Sequence, residues 1–201
     1  MQINQNSLSK ARRELLRCEY LGPTVKAYGR CNINPENRDP FDALIASIIS
    51  QQLSVKAADT IEGRVRELVG KKFKPTAIIN ANVNDLRNAG LSGRKVEYVQ
   101  GIADAVKRKR LNFKQLESAS NEEVIEKLIQ LRGVGKWTAE MFMIFALGRI
   151  DIFSSLDVGL QRGMQILFGE EAYDLAAMEK LAQRWQPYRS IASWYLWRLA
   201  G

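Results

Sequence analysis

The sequence predicts an all-α fold, chiefly because apolar residues recur at helical spacing, at i, i+3, i+4 and i+7, through most of its 201 residues. Short polar turns that carry helix-capping residues separate these segments. A sustained alternation of apolar and polar residues would indicate a strand. Residues 150–153 come nearest to such a pattern and are too few. We therefore expect helices joined by short turns.

Helix starts and ends can be placed in the first part of the chain. Residues 7–20 are predicted to form the first helix and residues 29–38 a polar loop. Asp39 then caps a helix in which Pro40 takes the first position, where proline is favoured. That helix ends within residues 50–54. Its apolar face comprises Phe41, Leu44, Ile45, Ile48 and Ile49.

Helical patterns continue toward the C-terminus. A helix is predicted over residues 57–70, and another follows the turn of residues 90–93, which we interpret as a plain interhelical turn. After a central hairpin, residues 148–155 form a loop and residues 156–168 a helix. The final helices carry Leu181, Trp185, Trp194, Leu196 and Trp197.

The composition favours a polyanionic partner. Thirty Lys and Arg residues against 22 Asp and Glu give a net charge of +8, and the hydrophobic fraction of 46% is ordinary for a globular protein. No apolar run approaches the roughly 18 residues of a membrane span, and the first residues lack the apolar stretch of a signal peptide. We therefore expect no membrane association and an intracellular location, either the cytoplasm or nucleoid of a prokaryote or the nucleus of a eukaryote.

The chain contains no histidine, which excludes a Ser-His-Asp mechanism, a histidine general base and a histidine-ligated metal. Its two cysteines, Cys18 and Cys31, are too few for an iron–sulfur cluster or a four-cysteine zinc site. Any chemistry must therefore depend on carboxylates, lysines, hydroxyls, aromatic rings or backbone amides.

A glycine turn between two helical patterns is the most informative motif. The segment reads LRGVGKWTAEMF from Leu131, and Ser120 with Glu123 predicts a capping box at the start of the preceding helix. Gly133 and Gly135 allow a tight reversal and expose backbone amides at the start of the second helix, where an anion is favoured. The motif thus predicts a DNA phosphate site, or alternatively a simple turn joining two core helices.

Asp157 is the candidate catalytic carboxylate. It lies at a predicted helix start shortly after the hairpin. A carboxylate held there can stabilise a sugar cation as a glycosidic bond breaks and can orient a water molecule for attack. The alternative is an ordinary helix cap, a common role of Asp.

The order of these motifs resembles the helix-hairpin-helix DNA glycosylase superfamily, and within it the 3-methyladenine DNA glycosylase II family of alkylation repair. The resemblance extends from about Pro40 to the C-terminus. The segments that carry it are residues 50–58, residues 90–92, the hairpin, residues 151–159 and residues 185–189.

The resemblance implies a role for each hairpin residue. Gly133 and Gly135 offer amides to a phosphate, and Thr138 and Lys136 contact DNA nearby. Relatives hold a monovalent cation at this hairpin through carbonyls, here those of Leu131 and Gly133, so a structural Na⁺ or K⁺ is expected. No other cofactor is implied, neither an iron–sulfur cluster nor zinc.

The resemblance also implies a wedge that fills the gap left by a flipped nucleotide. Gln52 matches the wedge position, with Gln51, Leu53 and Ser54 as DNA-contacting neighbours. Some relatives use an apolar side chain there, and a glutamine could in addition hydrogen-bond the orphaned base. The alternative is that Gln51 and Gln52 form only a polar helix end.

The implied base pocket is aromatic, because alkylated purines are cationic and stack on electron-rich rings. Trp197 is the expected stacking partner, and Trp137 and Met141 match other pocket positions. Core packing is the alternative for each tryptophan.

One position predicts the type of reaction. Glycosylases that also act as lyases carry a lysine nucleophile where this chain has Trp137. The adjacent Lys136 should point away from the pocket. The resemblance therefore implies a monofunctional glycosylase that uses water, takes 3-methyladenine or 7-methylguanine from double-stranded DNA and leaves an abasic site. Ethenoadenine, 1-methyladenine and hypoxanthine stay open as substrates, and a non-catalytic helix-hairpin-helix module is the alternative function.

The expected architecture is two helical subdomains with the DNA-binding cleft between them, in a monomer. Residues 40–147 form one subdomain, and residues 1–39 with 148–201 form the other. Residues 107–110 are the densest basic run, which we interpret as a solvated helix end. Basic residues expected to face DNA are Lys56, Arg94, Lys95, Lys136 and Arg162.

Overall fold

The computed structural model describes residues 2–35 and 39–201, without the side chain of Val55. Within these ranges it confirms the all-α prediction, because the only β-structure is an isolated bridge between Gln2 and Arg149. The helices are α1 (Gln5–Leu15), α2 (Gly22–Tyr28), α3 (Pro40–Ser50), α4 (Val55–Val69), α5 (Pro75–Asn80), α6 (Val83–Asn88), α7 (Gly93–Lys107), α8 (Phe113–Ser118), α9 (Asn121–Ile129), α10 (Lys136–Phe145), α11 (Val158–Phe168), α12 (Leu175–Ala182) and α13 (Arg189–Ala200).

Side-chain caps fix several helix starts as the sequence predicted. Asp39 is the N-cap of α3 and directly precedes Pro40. Its side chain accepts a hydrogen bond of 3.0 Å from the Asp42 amide. At α9 the capping box is complete: the Ser120 hydroxyl accepts from the Glu123 amide, and the Glu123 carboxylate accepts from the Ser120 amide. These bonds satisfy amides that the first helical turn leaves unpaired.

Some boundaries differ from the prediction. The helix expected over residues 7–20 ends at Leu15, and α2 starts at Gly22 after a tight turn. A Cβ on Gly22 would lie 2.6 Å from the carbonyl oxygen of Leu16, so this turn requires glycine. Short helices α5 and α8 were not predicted. In the polar loop predicted over residues 29–38, residues 36–38 lie outside the described residues.

The chain divides into two compact units, Met1–Asn37 with Met143–Gly201 and Arg38–Phe142. The expected division followed residue 147, whereas this one follows residue 142, inside α10. The predicted cleft stays a prediction.

The unit of residues 38–142 is built around α3. This helix packs against α4 and α7, and Leu44, Ile45, Ile48 and Ile49 are fully buried. Arg66 joins α4 to α3 through both carboxylate oxygens of Asp42, each at 2.8 Å. The Asp42 hydrogen bond is the main cause that raises the pKa of Arg66.

The other unit is built around α13, which packs against α11, α1 and α2. Trp185 and Tyr195 are its largest buried side chains. No helix in residues 2–35 and 39–201 has the length and hydropathy needed to cross a membrane.

Candidate DNA interface and active site

Helices α9 and α10 flank the predicted glycine turn, so the prediction of a tight turn between two helices is confirmed. Gly133 has a φ of +87° and lies against Tyr98, whose ring a Cβ at this position would overlap. Gly135 is exposed, and a Cβ there would meet no atom within 4 Å. The first glycine is therefore required by the fold, whereas the second leaves room for an approaching ligand.

Thr138 has an internal role, which differs from its predicted DNA contact. Its side chain is only 3% exposed, and its hydroxyl accepts a hydrogen bond of 3.0 Å from Nε2 of Gln51. The same Nε2 donates to the carbonyl oxygen of Gly133, also at 3.0 Å. Buried polar groups need such partners. Gln51 thus ties the hairpin to the end of α3.

Residues 50–53 form a type II turn. The Leu53 amide donates to the Ser50 carbonyl oxygen, Gln51 has φ −51° and ψ 132°, and Gln52 has φ +57°. Glycine is the usual residue at the third position of this turn, and a side chain there costs on the order of 1 kcal/mol. Gln52 is exposed and Leu53 is 37% exposed, so both are accessible. Strain at an exposed glutamine is consistent with a functional role.

Lys95 supports this turn, and Ser54 follows it. Ser54, predicted to contact DNA, is exposed and caps α4 by accepting from the Ala57 amide. Lys95, expected to face DNA, donates from Nζ to the carbonyl oxygens of Ile49 and Gln51, each at 2.7 Å. Burial lowers the pKa of Lys95. The sequence did not indicate the bond from Lys95 to the Gln51 carbonyl oxygen, because these residues are 44 positions apart.

A cavity of about 440 Å³ opens beside the turn of residues 50–53, within the unit of residues 38–142. Trp137 lines it, as does Gln52. Lys136 is exposed and pairs with Glu140 at 3.7 Å. Met141, a predicted pocket residue, is 8% exposed. The cavity is lined by Gln51, Gln52, Ser92, Arg94, Lys95, Tyr98, Gly133 and Trp137.

Asp157 is the N-cap of α11. Its Oδ1 accepts from the Leu160 amide and from Nε1 of Trp197, each at 2.8 Å. The carboxylate and the predicted stacking residue Trp197 are therefore brought together, 40 positions apart in sequence. The structure shows this indole as a donor to the carboxylate, a role that sequence reasoning did not foresee.

Gly159 and Phe145 define the place of the Trp197 indole. A Cβ on Gly159 would lie 2.9 Å from Cδ1 of Trp197 and 3.1 Å from Oδ1 of Asp157. The Phe145 ring stacks on the indole with a centroid distance of 5.6 Å and an angle of 28°. The spacing Asp157-x-Gly159 is the sequence signal that could have indicated this close approach.

The start of α13 anchors the loop that precedes Asp157. Arg189 donates to both carboxylate oxygens of Asp151. Its Nε lies 2.8 Å from Oδ1, and its Nη2 lies 3.0 Å from Oδ2. The Ser190 hydroxyl accepts from the Ile152 amide at 2.9 Å. Arg189 and Asp151 are half-buried and Ser190 is buried, so these hydrogen bonds anchor the loop to the start of α13.

The two hairpin carbonyl oxygens predicted to hold a cation both accept internal hydrogen bonds. The Leu131 carbonyl oxygen accepts from the Val134 amide, and the Gly133 carbonyl oxygen accepts from Gln51. Each carbonyl has a second lone pair. Among the described residues, no group of three or more Cys, Asp or Glu side chains is arranged to hold a metal ion. The monovalent cation stays a prediction.

The basic run at residues 107–110 is a helix end, as interpreted. Arg108 and Arg110 both pair with Asp104, at 2.8 and 2.6 Å. The Arg108 hydrogen bond is the main cause that lowers the pKa of Asp104. Both guanidinium groups are exposed, and each is paired with a carboxylate of this chain.

Comparison with known proteins gives consistent matches. Residues 45–187 match the model of the HhH-GPD superfamily of base excision DNA repair proteins. DNA-3-methyladenine glycosylase 1 of Schizosaccharomyces pombe is 35% identical over 184 residues, which are 87% of this chain and 79% of the relative.

Solved structures agree. A DNA-3-methyladenine glycosidase of Bacillus halodurans superposes with a TM-score of 0.83 at 41% identity, over 96% of this chain and 89% of the other. The S. pombe 3-methyladenine DNA glycosylase in complex with abasic DNA superposes with a TM-score of 0.82 at 31% identity, over 94% and 95%.

Proposed function

This chain belongs to the HhH-GPD superfamily of base excision DNA repair proteins, and from that premise we propose that it is a monofunctional DNA glycosylase that removes alkylated purines from double-stranded DNA. The observation that carries the proposal is the Asp157 carboxylate, held by Trp197 and the first turn of α11 in a chain that also has the glycine hairpin. 3-Methyladenine and 7-methylguanine are the proposed bases.

The reaction is the hydrolysis of the bond between the base nitrogen and C1′ of the sugar. Alkylation gives the purine a positive charge, so the base leaves with the bonding electrons as a neutral molecule and needs no proton from the enzyme. The sugar is left as an oxocarbenium-like cation. Asp157 stabilises this cation and orients the water that attacks C1′, and the proton of that water passes to the carboxylate or to solvent.

Two hydrogen bonds restrict the orientation of the Asp157 carboxylate. The donors are the Leu160 amide, which belongs to a helix N-terminus, and the Trp197 indole, which is stacked on Phe145. Because these partners are themselves fixed, the carboxylate does not have to be ordered when the substrate arrives.

DNA binding is assigned to the exposed turns of the unit of residues 38–142. The turn at Gly133 and Gly135 offers amides to a phosphate, and the net charge of +8 supplies salt-dependent affinity. Gln52 enters the duplex as the base swings out, a step that costs a few kcal/mol and less for a damaged base. We further propose a monomeric, intracellular enzyme with a Na⁺ or K⁺ ion at the hairpin carbonyls.

Release of methylated bases tests the function. Wild-type protein should release 3-methyladenine and 7-methylguanine from methylated duplex DNA, and Asp157→Asn should be slower by about 10²-fold or more. Base release would be measured by chromatography of the supernatant. An Asp157→Asn variant that works at the wild-type rate would show that the catalytic assignment is wrong.

The alternative is a DNA-binding module without catalysis. It predicts salt-sensitive binding to duplex DNA but no release of any methylated base by the wild-type protein. The defined geometry at Asp157 favours the enzyme, since a binding module has no need of a carboxylate held by an indole.

Borohydride trapping tests the monofunctional assignment. A lyase would form a Schiff base with the sugar, which borohydride reduces to a stable protein–DNA adduct. Trp137 takes the place of the required lysine, and Lys136 is paired with Glu140. We expect no adduct, with a lysine-containing lyase as positive control; a covalent adduct would contradict the assignment.

A further inference from the structure

We propose that Lys95 is a positioning residue that holds the turn of residues 50–53 in the conformation that presents Gln52 to DNA. The inference rests on the proposed function, because the turn matters for repair only if Gln52 enters the duplex. It replaces the sequence-based expectation that Lys95 faces DNA as one of several basic residues.

The position of the Lys95 ammonium supports this role. Its Nζ lies 2.7 Å from the carbonyl oxygens of Ile49 and Gln51, at the C-terminal end of α3. Carbonyls at this end of a helix have no partners within the helix and carry the negative end of its dipole. The side chain is half-buried, between Arg94, which is exposed, and Val96, which is buried. Its ammonium group is therefore directed at the end of α3.

The Gln51 carbonyl oxygen is the atom that distinguishes the possible conformations of this turn. Type I and type II turns differ mainly by a flip of the central peptide, here the one between Gln51 and Gln52. Type I would give Gln52 a negative φ, which suits a residue with a side chain, whereas type II needs a positive φ. Gln52 has φ +57° although it is not a glycine. The bond from Lys95 to the Gln51 carbonyl oxygen holds the peptide in the flipped orientation.

The same turn is tied to the hairpin. The Gln51 side chain donates to the Gly133 carbonyl oxygen and to the Thr138 hydroxyl. Lys95, Gln51 and the hairpin turn thus form one hydrogen-bonded group within a single unit. Loss of Lys95 should release the central peptide of the turn while the side-chain amide of Gln51 keeps its place.

The first experiment measures the conformation of the turn without DNA. Backbone chemical shifts of the isotope-labelled protein report the sign of φ at Gln52. We expect a positive φ in the wild type and a negative φ in Lys95→Met, which keeps the unbranched apolar stem of the side chain and removes the ammonium donors. A positive φ in the folded variant would overturn the inference, whatever the enzyme does to DNA.

The second experiment measures insertion of Gln52 without base release. A duplex that carries a tetrahydrofuran abasic analogue opposite 2-aminopurine should fluoresce more strongly when wild type binds, and the rise should be smaller with Lys95→Met. Excision of 3-methyladenine should fall by about ten- to a hundred-fold in that variant, since small displacements of positioning groups have such effects. If φ of Gln52 becomes negative in Lys95→Met but the rise in fluorescence is unchanged, the turn does not control insertion of Gln52, and the inference is overturned.

Salt dependence separates positioning from phosphate contact. A lost phosphate contact lowers the slope of log K against log salt concentration by about 0.9. We expect the wild-type slope for Lys95→Met and a smaller slope for Arg94→Met, the exposed neighbour. A slope reduced by Lys95→Met would overturn the inference. If Lys95→Met does not fold, Lys95→Gln takes its place. For that variant we expect the wild-type salt slope and a rise in 2-aminopurine fluorescence smaller than that of the wild type.

Discussion

At the scale of single residues, the indole of Trp197 acts on the Asp157 carboxylate through a hydrogen bond. The sequence offered only the aromatic character of this residue, which suggested stacking on a base. The structure adds a donor distance of 2.8 Å and a place that Gly159 leaves open. The N–H group, and not the ring alone, is therefore what the site needs from this residue.

Substitution of Trp197 by Phe should slow excision about tenfold or more, because a hydrogen bond to a charged group contributes about 1.5–3 kcal/mol. The ring can still stack on Phe145, so affinity for abasic duplex DNA should change little. Single-turnover base release and equilibrium binding would measure the two effects.

Trp194→Phe is the matched control for this prediction. It makes the same change on the same helix, but Nε1 of Trp194 donates to Asn32, at 3.0 Å, and not to Asp157. Its excision rate should match the wild type. Equal rates in Trp197→Phe and Trp194→Phe would contradict the role assigned to the indole N–H.

At the scale of elements, the two glycines of the hairpin between α9 and α10 have different roles. Gly133 combines a positive φ with the neighbouring Tyr98 ring, so it is needed for the turn itself. Gly135 has open space around it, so the folded protein would accept a side chain there. Spacing alone did not distinguish these requirements, although it predicted the turn.

Alanine at each glycine would separate folding from binding. Gly133→Ala should lower the free energy of unfolding by on the order of 1–3 kcal/mol, because of the left-handed backbone and the overlap with Tyr98. Gly135→Ala should unfold like the wild type but bind duplex DNA more weakly, because a methyl group keeps the phosphate away from the amides. Urea titration and fluorescence anisotropy would measure these effects. Wild-type affinity in Gly135→Ala would argue against a phosphate at this turn.

At the scale of the whole molecule, buried titratable groups make stability depend on pH. Burial raises the pKa of Cys31 to about 11 and that of Tyr195 to about 12. Both groups lie in the unit built around α13, and neither belongs to the proposed active site. The folded protein therefore retains protons that the unfolded chain loses at alkaline pH.

The free energy of unfolding should decrease as the pH rises from about 9 to about 11. The Cys31 contribution is fully present below the ordinary thiol pKa of 9.0 and is lost as the pH passes through the raised value. Its size is about 3 kcal/mol, since each pKa unit corresponds to about 1.4 kcal/mol. Urea unfolding at several pH values would show the decline, and Cys31→Ala should show a shallower one. An equal decline in both proteins would show that Cys31 is not responsible.

The sequence by itself determined the helical class, the caps at Asp39 and Ser120, the glycine hairpin, the carboxylate at Asp157 and the resemblance to a repair family. Apart from the resemblance, each of these signals consists of residues only a few positions apart, because helix periodicity and capping are local. Only the tertiary structure decided which distant side chains meet: Lys95 with the end of α3, Gln51 with the hairpin 82 positions away, and Trp197 with Asp157. Such bonds depend on how helices pack, and no periodic pattern in the chain encodes the direction of a single amide, ammonium or indole N–H.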